Sequence, residues 1–228
     1  MRPRPIGPTA RAAAALALAA CAAGPGKTTA PQPQPAPEVA DLEALYRART
    51  DSARLRFTQA DVDFMTGMIA HHAQALVMAA LAPTNGASPT IRTLCDRIIN
   101  AQQDEIATMQ RWLRDRGRPA PEVHIAGTVF TLHEGGDHAK HMPGMLTSEQ
   151  FAELEAAHGL DFDRLFLRYM IQHHQGAVTM VHHLFEVDGA ALDEEAFKLA
   201  SDIQVDQLTE IARMERMLDA LPRDDAAR

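Results

Sequence analysis

One helical hairpin is written into this chain twice. Phe64 to Met78 (FMTGMIAHHAQALVM) aligns with Phe166 to Met180 (FLRYMIQHHQGAVTM) at an offset of 102 residues, sharing the Phe, Met-Ile, His-His, Ala and Met positions. Ile98 to Leu113 aligns with Ile203 to Leu218 at an offset of 105, sharing Ile, Gln, Glu-Ile, Met and Leu. A pair of amphipathic segments cannot bury its apolar stripe by itself, so the two copies must bury theirs on each other. The expected fold is all-α: a four-helix bundle made of two repeated helical hairpins.

Capping signals place the helices. Thr58-Gln59-Ala60-Asp61 reads as a capping box, with Phe57 and Val62 set as a hydrophobic staple, and its helix runs to about Leu81 before Pro83. Ser88 caps a second helix that has Pro89 at its first position and ends near Gly117. Asp161 is expected to open the third helix, ending by Gly189, and Asp193 the fourth, stopping before Pro222. A weaker helical pattern spans Leu42 to Leu55, and no stretch is read as alternating like a strand. Repeat one thus covers 57-117 and repeat two 161-221, joined by a long crossover over 118-160, the kind of connection that ferritin-like bundles carry. Within it, Ser148 to Ala157 reads as a short helix closed by Gly159.

The N-terminal region reads as an export signal. Residues 1-20 combine Arg2, Arg4 and Arg11 with a short apolar stretch, Ala12 to Ala20, too short to span a bilayer. Leu18-Ala19-Ala20-Cys21 resembles the lipobox of bacterial lipoproteins, which implies cleavage before Cys21, lipidation of that residue, and anchoring to a membrane facing the periplasm or cell exterior. Residues 21-37 are rich in Pro and Gln and poor in large apolar side chains, as in a tether, and residues 38-228 form the bundle domain. The formal net charge is -8, and removing the leader's three arginines makes the remainder more acidic still. Such a surface disfavours nucleic acid and attracts cations. With Cys21 lipidated, only Cys95 is left, so stability must come from the core rather than a disulfide.

The apolar stripes are interrupted by polar groups at matching positions. At about 100° per residue, His72 falls inside the stripe of its helix and His71 at its edge; His174 and His173 repeat this. Gln102 and Glu105 fall inside the stripe of the second helix, and Gln207 and Glu210 inside that of the fourth. A buried polar group without a partner costs a few kcal/mol, so these groups must be satisfied. One solution is a structural network in which Glu105 and Glu210 orient His72 and His174. The other is a metal site: Met68 and Met170 precede the inner histidines by one turn and Met78 and Met180 follow, and thioether beside imidazole is a soft set suited to copper, Cu(I) in particular. A second cluster, His133, His138, His141, Met142 and Met145, with Glu134 and Asp137 among them and His124 upstream, is dense enough to suggest exchangeable binding of divalent ions in the connection. His182 and His183 read as solvent-exposed, and Cys95 as a small buried hydrophobe.

The Met-Ile-x-His-His-x-x-Ala and Gln-x-x-Glu-Ile motifs, the connecting Met142-Pro143-Gly144-Met145, and Phe162-Asp163-Arg164-Leu165-Phe166-Leu167 resemble the DUF305 family over about residues 57-219. The resemblance implies a ferritin-like four-helix fold, export from the cytoplasm and, for some members, copper binding through the His-Met positions Met68, His71, His72, Met170, His173 and His174, with Met142 and Met145 in the connection. The first repeat reads His72-Ala73-Gln74-Ala75 where the second has the more typical His174-Gln175-Gly176-Ala177, so the halves need not bind equally. The leading expectation is a non-enzymatic copper buffer or carrier. The alternative is a structural or interaction lipoprotein that uses the His-Glu pairs only to hold its core. A di-iron enzyme, the rival suggested by the fold, needs two Glu-x-x-His pairs on core helices, and the chain has one, Glu155 to His158, in the connection.

Overall fold

The computed structural model describes residues 39-54, 56-133 and 142-222. Its elements run α1 (Val39–Arg54), α2 (Gln59–Ala80), α3 (Pro89–Asp115), β1 (Glu122–Ala126), β2 (Val129–His133), α4 (Ser148–Ala156), α5 (Gly159–Glu186) and α6 (Glu194–Ala220). The leader, Cys21 and the tether lie outside the described residues, as do His138 and His141.

Helices α2 and α3 pair as one hairpin, α5 and α6 as the other, and the hairpins meet chiefly through α2 against α5. This is an all-α, ferritin-like bundle. The caps form as the sequence dictates: Thr58 and Asp61 make both halves of the capping box, and the Ser88 hydroxyl accepts from Ile91 N with Pro89 at the first helical position. Phe57 meets Trp112 edge-on at 5.5 Å between ring centroids and Val62 is buried in the same cluster, which fixes how the chain enters α2. The third helix begins two residues earlier than expected, at Gly159, so Asp161 sits in its first turn while His158 occupies the cap without a side-chain bond.

Two carboxylates serve as cap and as cross-brace together. Asp193 caps α6 through Ala196 N, accepts from the Trp112 indole at 3.0 Å and pairs with the buried Arg116 guanidinium at 2.5 Å, which also stacks on the Trp112 ring. Asp61, besides its box, accepts from Ala191 N at 2.7 Å in the turn between α5 and α6. The ends of the two hairpins are thereby locked together.

The connection corrects one expectation. It contains an antiparallel hairpin of β1 and β2, turning at Gly127-Thr128 with Gly127 at φ 63° and pairing Glu122 with His133 through to Ala126 with Val129. Val123 and Leu132 pack on the core while Glu122, His124, Thr131 and His133 face outward. Strands of five residues carry too little alternation to stand out beside helices of more than twenty, and the bundle supplies the apolar surface that stabilises them. The weaker helical pattern forms α1 over Val39–Arg54, with Leu42, Leu45 and Tyr46 exposed, and none of its described side chains belongs to the buried core.

Candidate metal site

The site lies where α2 crosses α5. These helices run antiparallel, so residue 71 of one repeat meets residue 173 of the other: the rings of His71 and His173 lie against each other, tilted by 38° with centroids 3.8 Å apart. His72 and His174 flank this pair, with ring centroids 6.5 Å from His71 and 6.2 Å from His173 respectively. All four imidazoles are fully buried.

Their hydrogen bonds are incomplete in a patterned way. His72 Nε2 donates to Glu105 Oε2 at 2.5 Å, and His174 Nε2 donates to Glu210 Oε2 at 2.7 Å, so each carboxylate of α3 or α6 orients the inner histidine of its own hairpin. His71 Nε2 donates to the Pro143 carbonyl at 2.9 Å. What is left over is Nδ1 of His71, His72 and His174 and both nitrogens of His173, none of which has a partner among the described residues. The Gln102 amide and the Gln207 carbonyl oxygen, one turn before the two glutamates, are unpartnered as well. Burial, then the neighbouring imidazoles, hold His71 down to about 3 and His173 well below the ordinary histidine value. Both rings are therefore neutral at any physiological pH, the state in which imidazole is a ligand.

Methionines bracket the His71–His173 pair. Met68 and Met180 belong to the packing on one side, Met78 and Met170 to that on the other, each pair drawing one residue from each repeat. Met142 joins them through a notch at Gly67: a Cβ there would sit 3.3 Å from the Met142 sulfur and 3.4 Å from the Met180 methyl. The connection is pressed into the helix crossing at a second glycine contact, because a Cβ on Gly176 would fall 2.0 Å from the Pro143 oxygen. Gln74 completes the seat, donating to Leu146 O and accepting from Leu146 N. Met145 is half-buried beside this seat.

Other candidates sit elsewhere. His133 is on β2, away from the helix crossing, with its ring 4.8 Å from that of His124. His182 is exposed and bonded to Gln204, His183 is exposed, and Cys95 is buried among apolar side chains that push its thiol up to about 12. Glu155 and His158 are both exposed, so the one Glu-x-x-His does not reach the core. Surface grooves of about 350 and 370 Å3, beside Trp112 and beside Phe151, touch none of the histidines. Among the described residues no three His, Cys, Asp or Glu side chains surround a common point, so a metal held here needs donors of another kind, and the neighbouring thioethers are one such kind.

Sequence reasoning missed four contributors. The Pro143 carbonyl is a backbone group and leaves no side-chain signature. Gly67 and Gly176 matter through what they allow to approach. Asp206, raised from its ordinary value by partial desolvation and then by Glu105, Glu210 and Asp202, marks an acidic patch shared between α3 and α6 that helix periodicity on α6 alone does not reveal.

The family model for the domain of unknown function DUF305 matches residues 61–218. The chain belongs to the DUF305 family. Its fold is shared with a DUF305 fragment from Deinococcus radiodurans, 33% identical, with a TM-score of 0.59 over 72% of this chain and 99% of that one. A DUF305 protein from Streptomyces coelicolor, 24% identical with a TM-score of 0.56 over 70% of this chain and 92% of that one, shares the fold. CopM in its Cu(II)-bound form is 30% identical, with a TM-score of 0.52 over 70% of this chain and 95% of that one; CopM is also known in Cu(I)-bound and Ag-bound forms. No protein of curated function matches the sequence significantly.

Proposed function

We propose that this DUF305 protein binds copper as cargo outside the cytoplasm, as a buffer or carrier, and that its Cu(I) site is the helix crossing at His71 and His173. The observation that carries this is the set of unpartnered nitrogens: four buried imidazoles, each with at least one ring nitrogen that no described group satisfies. Leaving a buried polar atom unmade costs about 1–3 kcal/mol each, and a bound ion would remove that cost. Cu(I) suits the donor set, because thioether and neutral imidazole are soft ligands. The copper-bound and silver-bound forms of CopM support the same reading.

In this arrangement the open nitrogens of His71 and His173, with those of His72 and His174 beside them, are the imidazole donors, and the thioethers come from Met142 and Met180, which meet at Gly67, and from Met68, Met78 and Met170 in the flanking cores. Glu105 and Glu210 act through His72 and His174: a carboxylate on Nε2 fixes the tautomer and leaves Nδ1 as the lone-pair donor, the arrangement common around metal-ligating histidines. Export by the leader, anchoring through Cys21 and reach through the tether complete the proposal, with His133, His138, His141 and Met145 serving exchangeable divalent ions at the connection. The His72–Glu105 and His174–Glu210 bonds also favour a second reading, in which the network only fixes helix register.

A Cu(I) competition titration under anaerobic, reducing conditions separates the two. The wild-type chain should hold Cu(I) below nanomolar, and the His71→Ala/His173→Ala and Met142→Leu/Met180→Leu variants should each weaken it by at least tenfold. No binding beyond the micromolar level in the wild type overturns the copper reading and leaves the structural network.

A further inference from the structure

The β1–β2 hairpin places together three side chains that are distant from the helix crossing. Glu122 and His133 are direct cross-strand partners, and His124 lies two residues along β1 on the same outward face. Directly opposed residues have Cβ atoms about 4.5–5.5 Å apart and diagonal ones about 7–8 Å, so the three form a triangle within the reach of imidazole and carboxylate arms. The rings of His124 and His133 stand 4.8 Å apart, nearly perpendicular, and His124 Nε2 is 3.8 Å from Glu122 Oε2.

We propose that the outward face of this hairpin is a binding site for a divalent late transition-metal ion, with His124, His133 and Glu122 as its protein ligands. Two ligand atoms held tetrahedrally at about 2.0–2.2 Å from one ion stand roughly 3.3 Å apart. The Glu122–His124 separation exceeds that by a few tenths of an ångström. As they stand the three groups do not surround a common point. All three are exposed, His124 by 58% and Glu122 by 75%, so closing on an ion requires only side-chain rotation on a fixed backbone.

The donor set selects the ion. Two imidazoles and a carboxylate favour a borderline divalent metal over Cu(I), over Ca2+ and over Mg2+, and the remaining positions fall to water. Cu(II) binds such sites most tightly among the first-row ions. An exposed Glu–His pair by itself contributes almost nothing to stability. The site is independent of the helix crossing: it uses none of its residues and takes a different oxidation state.

The test uses the full chain with CuSO4 and no reductant, read by electron paramagnetic resonance and by competition titration. With one equivalent of copper, the wild type should show a Cu(II) centre with two nitrogen ligands that disappears in His124→Ala/His133→Ala, weakens several-fold in Glu122→Gln, and persists in His138→Ala/His141→Ala. Cu(I) affinity measured anaerobically should be unchanged in His124→Ala/His133→Ala, so a failure here is distinct from a failure at the helix crossing. A two-nitrogen Cu(II) signal unaltered in His124→Ala/His133→Ala, or one lost only in His138→Ala/His141→Ala, overturns the proposal.

Discussion

Glu105 on α3 accepts a hydrogen bond from His72 on α2 at 2.5 Å, with the imidazole fully buried and the carboxylate 14% exposed. Replacing Glu105 by Leu strands the His72 Nε2 donor in the core, which should lower stability by about 1–3 kcal/mol in urea denaturation of the apo-protein. Glu105→Gln, which keeps an acceptor, should recover most of the loss. An effect below 0.5 kcal/mol, roughly the surface-substitution level, would mean the pair is not holding the core.

Asp193 joins three functions in one carboxylate: the α6 cap, the Trp112 indole and the Arg116 guanidinium. Asp193→Ala removes the cap and leaves a buried cation whose remaining carboxylate partner is the exposed Glu195, beside the Trp112 carbonyl and ring. The expected loss is about 3 kcal/mol, the lower end for breaking a buried pair. Asp193→Asn should cost less, since the cap and the indole acceptor survive. Chemical denaturation of both variants checks the ordering.

Acid should destabilise the apo-protein through its buried histidines. His71 is pushed down to about 3 in the folded state, so between there and its ordinary value near 6.5 the unfolded chain binds a proton that the native chain does not. Stability therefore rises with pH through this window and is fully present above it. His173 acts in the same direction. The urea midpoint should fall between pH 7.5 and pH 5, and by less in His71→Leu/His173→Leu.

Cys95 should be inert while the protein is folded. Its thiol is buried and pushed up to about 12, so the reactive thiolate is scarce and out of reach. Iodoacetamide should leave Cys95 unmodified over hours in buffer and modify it within minutes in denaturant. Rapid labelling of the native protein would contradict the packing of α3.

Gly176→Ala should displace the connection without unfolding the bundle, because the added methyl would collide with the Pro143 carbonyl. The His71–Pro143 bond depends on that seat. Hydrogen exchange at residues 144–146 should accelerate by at least tenfold while α3 and α6 keep their protection.

Much of this architecture is legible in the sequence because it is local or repeated. The Thr58–Asp61 and Ser88–Pro89 signals fix helix starts, and the shared His and Glu positions place the paired carboxylates against the inner histidines. What escapes is whatever depends on two distant segments meeting. Asp61 and Asp193 are legible as caps, but their bonds to Ala191 and Trp112 are not. The same holds for the Asp163 carboxylate on Ser88 N, and for Asn85, whose amide donates to the Glu155 and Ala157 carbonyls. The β-hairpin escapes because its alternation is short, and with it goes the placing of His133 beside His124.

The Pro143–Gly144 segment packs against the bundle where the matching histidines of the two repeats, His71 and His173, meet. It bonds His71 and leaves its counterpart His173 with both nitrogens open. A dimer of identical half-length hairpins would present the same backbone to both imidazoles and would have no way to treat them differently. Fusion of the duplicated halves into a single polypeptide is thus what makes a lopsided centre attainable from matching parts.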